Sequence, residues 1–151
     1  MDPESVAWPS AEPSYRLRPP ATDEAGALDV LAAVLDATPR RSERVSVRLA
    51  IGRRMDLLGP RREALEALSG HSEVTVAEDH TIGTLALTDE TFADLAELFA
   101  DLERAIVFDS EGVAIADLRD DILRFALPET AVERVRDGVD AAVADRIQRV
   151  E

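Results

Sequence analysis

The sequence predicts an α/β fold: a single domain, with a mixed five-stranded sheet flanked by helices and a long C-terminal helix. Three observations lead there. Five short segments carry the two-residue apolar period of strands, and segments with helical spacing lie between them. Their order, α-β-α-β-β-α-β-β-α-α, interleaves helices with strands, which is how helices come to cover a sheet. The last segment places Val132, Val135, Val139, Val143, Ile147 and Val150 at spacings of 3, 4, 4, 4 and 3, an unbroken helical stripe. At 151 residues and 46% hydrophobic, the chain can bury a core of its own. With aromatics at 4%, that core must be aliphatic.

Residues 1–21 read as an extended tail, because Pro3, Pro9, Pro13, Pro19 and Pro20 block both helix and central strand. The domain proper is expected over 22–151. Thr22 opens a helix, with Asp23 and Glu24 at its positive end, that runs through Leu28, Leu31, Val34 and Leu35 to Ala37. RVSVRLAI (residues 44–51) alternates as a strand with one buried face. Pro60 starts a helix that ends at Ser69, before Gly70. EVTVA (73–77) and TLALT (84–88) are short strands. Thr88 caps a helix whose stripe is Phe92, Leu95, Leu98, Phe99 and Leu102. AIVFD (105–109) and GVAIA (112–116) form an antiparallel hairpin, with Gly112 free to take positive φ. Helix is expected over 117–126, and again from Pro128 to the end. No internal repeat is evident.

Composition excludes several classes. With no cysteine there is no disulfide, thiolate chemistry or cysteine-held metal. No apolar run is long enough to span a bilayer, and MDPESVAWPS lacks the pattern of a signal peptide, so a cytoplasmic protein is expected. A net charge of −14 works against general affinity for nucleic acid or anionic lipid, and direct nucleic-acid binding is not expected. All 17 basic residues are arginine, and acids are abundant. Adaptation to high salt, where ions screen an acidic surface, accounts for both features. A GC-rich genome accounts for the missing lysine alone.

The arginines are unevenly placed. Arg40, Arg41, Arg44, Arg48, Arg53, Arg54, Arg61 and Arg62 crowd one stretch, opposed only by Glu43 and Asp56. Guanidinium forks suit carboxylate and phosphate. Arg53 and Arg54 follow the carboxyl end of a strand, and Arg61 and Arg62 open the next helix, where anions are favoured. These four, with His80 beside Glu78 and Asp79, form the expected anion-binding site. Pairing of the arginines with the chain's own acids would empty that site. Trp8 and Tyr15 in the tail, and Val139, Val143 and Ile147 on the last helix, are the expected partner-binding residues. No catalytic constellation, metal site or cofactor motif stands out. Asp109 and Asp117 could meet at the hairpin, but an acidic surface produces such pairs by chance.

The order of elements and the lysine-free acidic composition resemble the effector domains of haloarchaeal transcription regulators of the TrmB and TbsP type. The segments carrying the likeness are VSVRLAIGRR (45–54), TLALTDETFADL (84–95) and AIVFDSEGVAIAD (105–117). The resemblance implies a phospholipase-D-like fold without catalysis. Of the motif H-x-K-x-x-x-x-D only His80 remains, with Ile82 at the lysine position and Leu87 at the aspartate position. AIVFDSEGVAIADLRDDIL is also similar to a segment of STAS domains, though no serine stands near Leu118–Arg119 for phosphorylation.

The reading that follows is a non-enzymatic regulatory or protein-interaction domain from a salt-adapted, archaeal cell, sensing an anionic ligand or binding a protein partner. Two alternatives stand beside it. One is a small enzyme for a phosphorylated or acidic metabolite, using His80 or Asp109 for proton transfer. The other is a structural homodimer joined through the terminal valine stripe.

Overall fold

A computed structural model describes residues 6–17, 24–53, 57–119 and 122–150. Strand β1 (Ser14–Leu17), helix α1 (Glu24–Ala37) and strand β2 (Ser42–Leu49) come first. Helix α2 (Pro60–Ser69), strands β3 (Val74–Val76) and β4 (Thr81–Ala86), and helix α3 (Asp89–Glu97) follow. A 3-10 turn (Phe99–Asp101) leads into strands β5 (Leu102–Asp109), β6 (Ala114–Arg119) and β7 (Ile122–Ala126). Helices α4 (Glu129–Gly138) and α5 (Ala141–Ala144) and strand β8 (Ile147–Val150) complete the described chain. The strands make one sheet in the order β3-β4-β2-β5-β6-β7-β1-β8, with every neighbouring pair antiparallel.

The five-stranded mixed sheet is therefore corrected to an eight-stranded antiparallel one, and the long C-terminal helix is absent. Strand β1 lies inside the proline-rich stretch, where SYRL finds strand partners on both sides. Strands β6 and β7 occupy 114–126, where helix was expected over 117–126. Leu118, Ile122 and Phe125 fall at helical spacing, but strands this short are not separable from a helix by period alone. The last helix stops at Gly138, a poor helix former, and Val139 is extended at φ −121° and ψ 167°. Val132 and Val135 of helix α4, Val143 of the single turn α5 and Ile147 of β8 are still buried in one core, which is how three elements produce most of the stripe; Val150 lies outside that core. Several local readings hold. Helix α2 starts at Pro60, Thr88 Oγ1 accepts from the Thr91 backbone N–H at 3.1 Å, and Gly112 has φ 78°. Thr22 and Asp23, read as the helix opening, lie outside the described residues.

The topology contains a repeat that the sequence does not show. Ser42–Asp109 runs β-α-β-β-α-β with strand order β3-β4-β2-β5, the split β-α-β arrangement of ferredoxin-like units. The rest of the chain, β1-α1 and then β6-β7-α4-β8, has the same arrangement with strand order β6-β7-β1-β8. One unit is thus inserted into the other, between α1 and β6. They join edge to edge where β5 pairs with β6, and within each unit the two helices pack together, α2 on α3 and α1 on α4.

All buried hydrophobics except Ile106, Ala114 and Ala126 belong to one cluster. Tyr15, Leu17, Val45, Val47, Leu49, Ala105, Val107, Leu118, Leu123 and Phe125 bring it one face of the sheet, and the helices contribute Val30, Val34, Leu68, Leu95, Val132 and Val135. Strand alternation then sends the intervening side chains to the opposite face, away from the helices.

Arg40 ties the end of the sheet at the junction of the units. It donates to Asp109 Oδ2 at 3.0 Å, to the Ala114 carbonyl at 3.0 Å and to the Ala126 carbonyl at 3.4 Å. It also meets Glu12 at 3.0 Å. Asp109 Oδ1 accepts from the backbone N–H groups of Glu111 and Val113 and so shapes the β5–β6 turn. Burial alone would push the Asp109 carboxyl up. The Val113 N–H, the Arg40 guanidinium and the Glu111 N–H outweigh it and hold the group below its ordinary value. A lowered native pKa stabilises the fold fully above the unfolded value of about 3.9, and that contribution fades as pH falls through the native value. Asp109→Ala is expected to cost about 1–3 kcal/mol at neutral pH, because it leaves the Glu111 and Val113 N–H groups without their acceptor and removes one of the two carboxylates that hold Arg40. In thermal melts followed by circular dichroism, the gap between Asp109→Asn and the parent should narrow from pH 4 downward.

Candidate functional site

The open face of the sheet is built from outward strand positions. Arg16 on β1, Arg44 and Arg48 on β2, Arg104 on β5, Arg119 on β6 and Arg124 on β7 all point there, as the register requires. Arg48, Arg104 and Arg119 stand directly opposite one another on three adjacent strands. Arg16 and Arg124 form a second like-charge pair. Like charges in such positions repel and weaken a sheet unless something neutralises them.

Among the described residues three carboxylates do part of that work against six arginines. Asp117 is the central one: its Oδ2 accepts from Arg104 at 3.2 Å and lies 3.5 Å from Arg119. Arg104 and Asp117 are each 13% exposed in their side chains, so this contact is sheltered. The remaining pairs, Arg48–Glu103 at 3.3 Å and Arg44–Glu73 at 3.7 Å, are at the surface, where ion pairs contribute little and exchange readily. At one corner the Trp8 ring covers the Arg124 guanidinium, 4.6 Å from its carbon, and the Ala7 carbonyl accepts from the Ala114 N–H. The face is basic in a chain of net charge −14.

The expected arginine site is only partly assembled. Arg53 and Arg62 line a cavity of about 670 Å³ together with Gly52, Leu57, Leu65 and Thr75. Gly52 allows this, since a Cβ there would sit 2.3 Å from the Ala77 carbonyl oxygen, and the Arg53 N–H donates to that same oxygen at 2.9 Å. Arg61 turns away to Asp101, Arg62 pairs with Glu66 one helical turn on, and His80 pairs with Asp79 and does not line the cavity. Arg54 lies outside the described residues. Arg40, Arg44 and Arg48 are likewise paired with acids of the chain. The arginine stretch is therefore largely neutralised from within; among its described members only Arg41 and Arg53 make no ion pair with a described residue. His80, next to Thr81, is at the Leu49 end of β2, and Asp109 is at the Ser42 end, roughly 20 Å away along the strand. Neither His80 nor Asp109, the two residues considered for proton transfer, lines the cavity that holds Arg53 and Arg62. Asp109 and Asp117, the pair weighed for a metal, are each engaged by arginine.

The expected partner surfaces are also placed differently. Val143 and Ile147 are buried in the chain's own core, and Val139 packs against it, so the stripe offers no seam for a dimer. Tyr15 is buried and stacks on Phe125 at 5.7 Å. Of the five, Trp8 alone reaches the open face. Arg16, Arg104, Arg119 and Arg124 lie outside the arginine-dense stretch and were not anticipated. For Arg16 and Arg124 the signal was an arginine with apolar residues on each side, YRL and LRF, where strand alternation sends the arginine outward; Arg104 and Arg119, each beside an acid, carry no such signal.

Compared with known proteins, the chain matches no protein-family model, no curated protein and no solved structure. Among the described residues no helix is long and apolar enough to cross a membrane. Asp117→Asn should remove about 1.5–3 kcal/mol, the range for hydrogen bonds to a charged group. Thermal melts in sulfate and chloride at matched ionic strength should show sulfate recovering more stability in the variant than in the parent, because the arginines there lack their carboxylate.

Proposed function

We propose that this chain is a non-enzymatic regulatory or interaction domain that holds an anionic partner against the open, arginine-bearing face of its sheet. The observation that carries this reading is the in-register row Arg48–Arg104–Arg119, which among the described residues is covered by no helix and is balanced in part by Asp117 and Glu103. A row of like charges is costly to maintain, and an external anion relieves the cost. A sensing or docking role is also what the likeness to haloarchaeal effector domains implies, and the cytoplasm of a salt-adapted cell is the setting proposed for it. Calorimetric titration with oligoglutamate at low salt should show binding that weakens as salt rises. The double variant Arg48→Glu/Arg119→Glu should lose about tenfold or more in affinity with an unchanged far-ultraviolet spectrum. Equal affinity in the variant, or no binding by the parent, would overturn the reading.

A second reading attaches to the cavity beside α2, where Arg53 is exposed and makes no ion pair with a described residue. A small phosphorylated or carboxylated ligand would suit it. Inorganic pyrophosphate should then raise the melting temperature of the parent, and Arg53→Ala/Arg62→Ala should abolish the rise.

A further inference from the structure

The arginine row does not end in charge. Continuing along the register, Ile82 on β4 stands opposite Arg48, and Ile122 on β7 stands opposite Arg119. These are two of the three large hydrophobics that are exposed among the described residues, at 43% and 45%. Across five adjacent strands the face therefore reads Ile82, Arg48, Arg104, Arg119, Ile122: an isoleucine, three guanidinium groups and an isoleucine. Isolated exposed apolar residues need no explanation, but two that bracket a cationic row in exact register make a pattern.

We propose that this row is the docking track for an acidic amphipathic helix of a partner protein, lying across the strands. This rests on the reading that the open face binds an anion, and it names the occupant. Neighbouring strands are about 4.8 Å apart, and successive turns of an α-helix about 5.4 Å apart. A helix laid perpendicular to the strands thus brings one residue per turn to each strand. The row spans about 19 Å over four strand spacings. That matches a helical face with an apolar residue at i, acids near i+4, i+7 and i+11, and a second apolar residue at i+14, about 21 Å along. Carboxylates would take up the guanidinium forks of Arg48 and Arg119, displacing the exposed Glu103, while the apolar ends cover Ile82 and Ile122.

The same row argues against nucleic acid. Single strands are held by aromatic rings on which bases stack, and this track contains none. Trp8 is already engaged with Arg124, and Tyr15 with Phe125. Phosphodiester backbone also has no use for isoleucine at each end of the contact, and the chain's overall charge repels it.

The test uses the full chain and a labelled synthetic helix with leucine at i and i+14 and glutamate at i+4, i+7 and i+11. A control peptide has the same composition, with these residues scattered around the helix, and a short single-stranded DNA is the second control. Fluorescence anisotropy should show the patterned helix binding about tenfold or more tighter than the scattered one. Ile82→Ser/Ile122→Ser should erase that advantage while leaving oligoglutamate binding intact. Arg48→Glu/Arg119→Glu should remove both. If both peptides bind equally, or the isoleucine variant keeps the preference, the helix track is wrong although the anion-binding face stands. If the arginine variant binds oligoglutamate as the parent does, the anion-binding face fails as well. DNA binding tighter than the patterned helix would overturn the choice of partner. So would a dimer in sedimentation that the isoleucine variant dissolves, since a second copy would then be the occupant.

Discussion

Edge-to-edge pairing of β5 with β6 is the contact on which the architecture rests. It turns two β-α-β-β-α-β units, one inserted within the other, into a single antiparallel sheet with one continuous core. Each unit alone would present an exposed edge strand at this junction, and such edges invite unwanted pairing. Joining them removes both. The Arg40–Asp109 contact secures the junction at its most vulnerable point, the β5–β6 turn, while reaching the end of β7 and the N-terminal segment through Glu12 and the carbonyls of Ala114 and Ala126. A charge so sheltered needs partners, and the two terminal nitrogens of Arg40 find them on several elements at once, while its Nε has none among the described residues.

The junction has a consequence for the opposite face. With the core helices of both units on one side, the other side of a wide sheet is left to strand side chains and, at one corner, to the segment that carries Trp8. Strand alternation places six arginines on it, among Ser46, Thr84, Ile106 and Asp117. In water such a face is tolerable, because exposed guanidinium groups stay hydrated and exposed ion pairs are weak and exchangeable. It is not optimal, because Arg48, Arg104 and Arg119 are held in line by the backbone register and cannot move apart as loop residues would. Among the described residues these cations are balanced only in part, and a rigid array of that kind is the pre-organised surface that the proposed anionic partner would use.

Much of the inner unit was legible in the sequence, because its strands alternate cleanly and its helices carry strong boundary signals: Pro60 for α2 and Thr88 for α3. The outer unit was harder to read. Its first strand is separated from β6 by a whole inserted unit, and SYRL in a proline-rich stretch gains strand character only from partners distant in sequence. The valine stripe after Pro128 misled because period measures which side faces the core, and a helix, a turn and a strand can all face the same core. The site suffered similarly. Linear density of arginine drew attention to 40–62, where ion pairs to Asp101, Glu66, Glu73, Glu103 and Asp109 absorb much of the charge. The basic face instead joins Arg44 and Arg48 of that stretch to single arginines on β1, β5, β6 and β7, and only the register brings them together.

The most direct measurement is a nuclear magnetic resonance titration of the isotope-labelled chain with oligoglutamate, following backbone amides and arginine Nε–H groups. The account predicts shifts concentrated on β2, β5 and β6, led by Arg48, Arg104 and Arg119, with the helices unmoved. Shifts confined to the loop and helix around Arg53 and Arg62, or spread evenly over all the arginines, would contradict it.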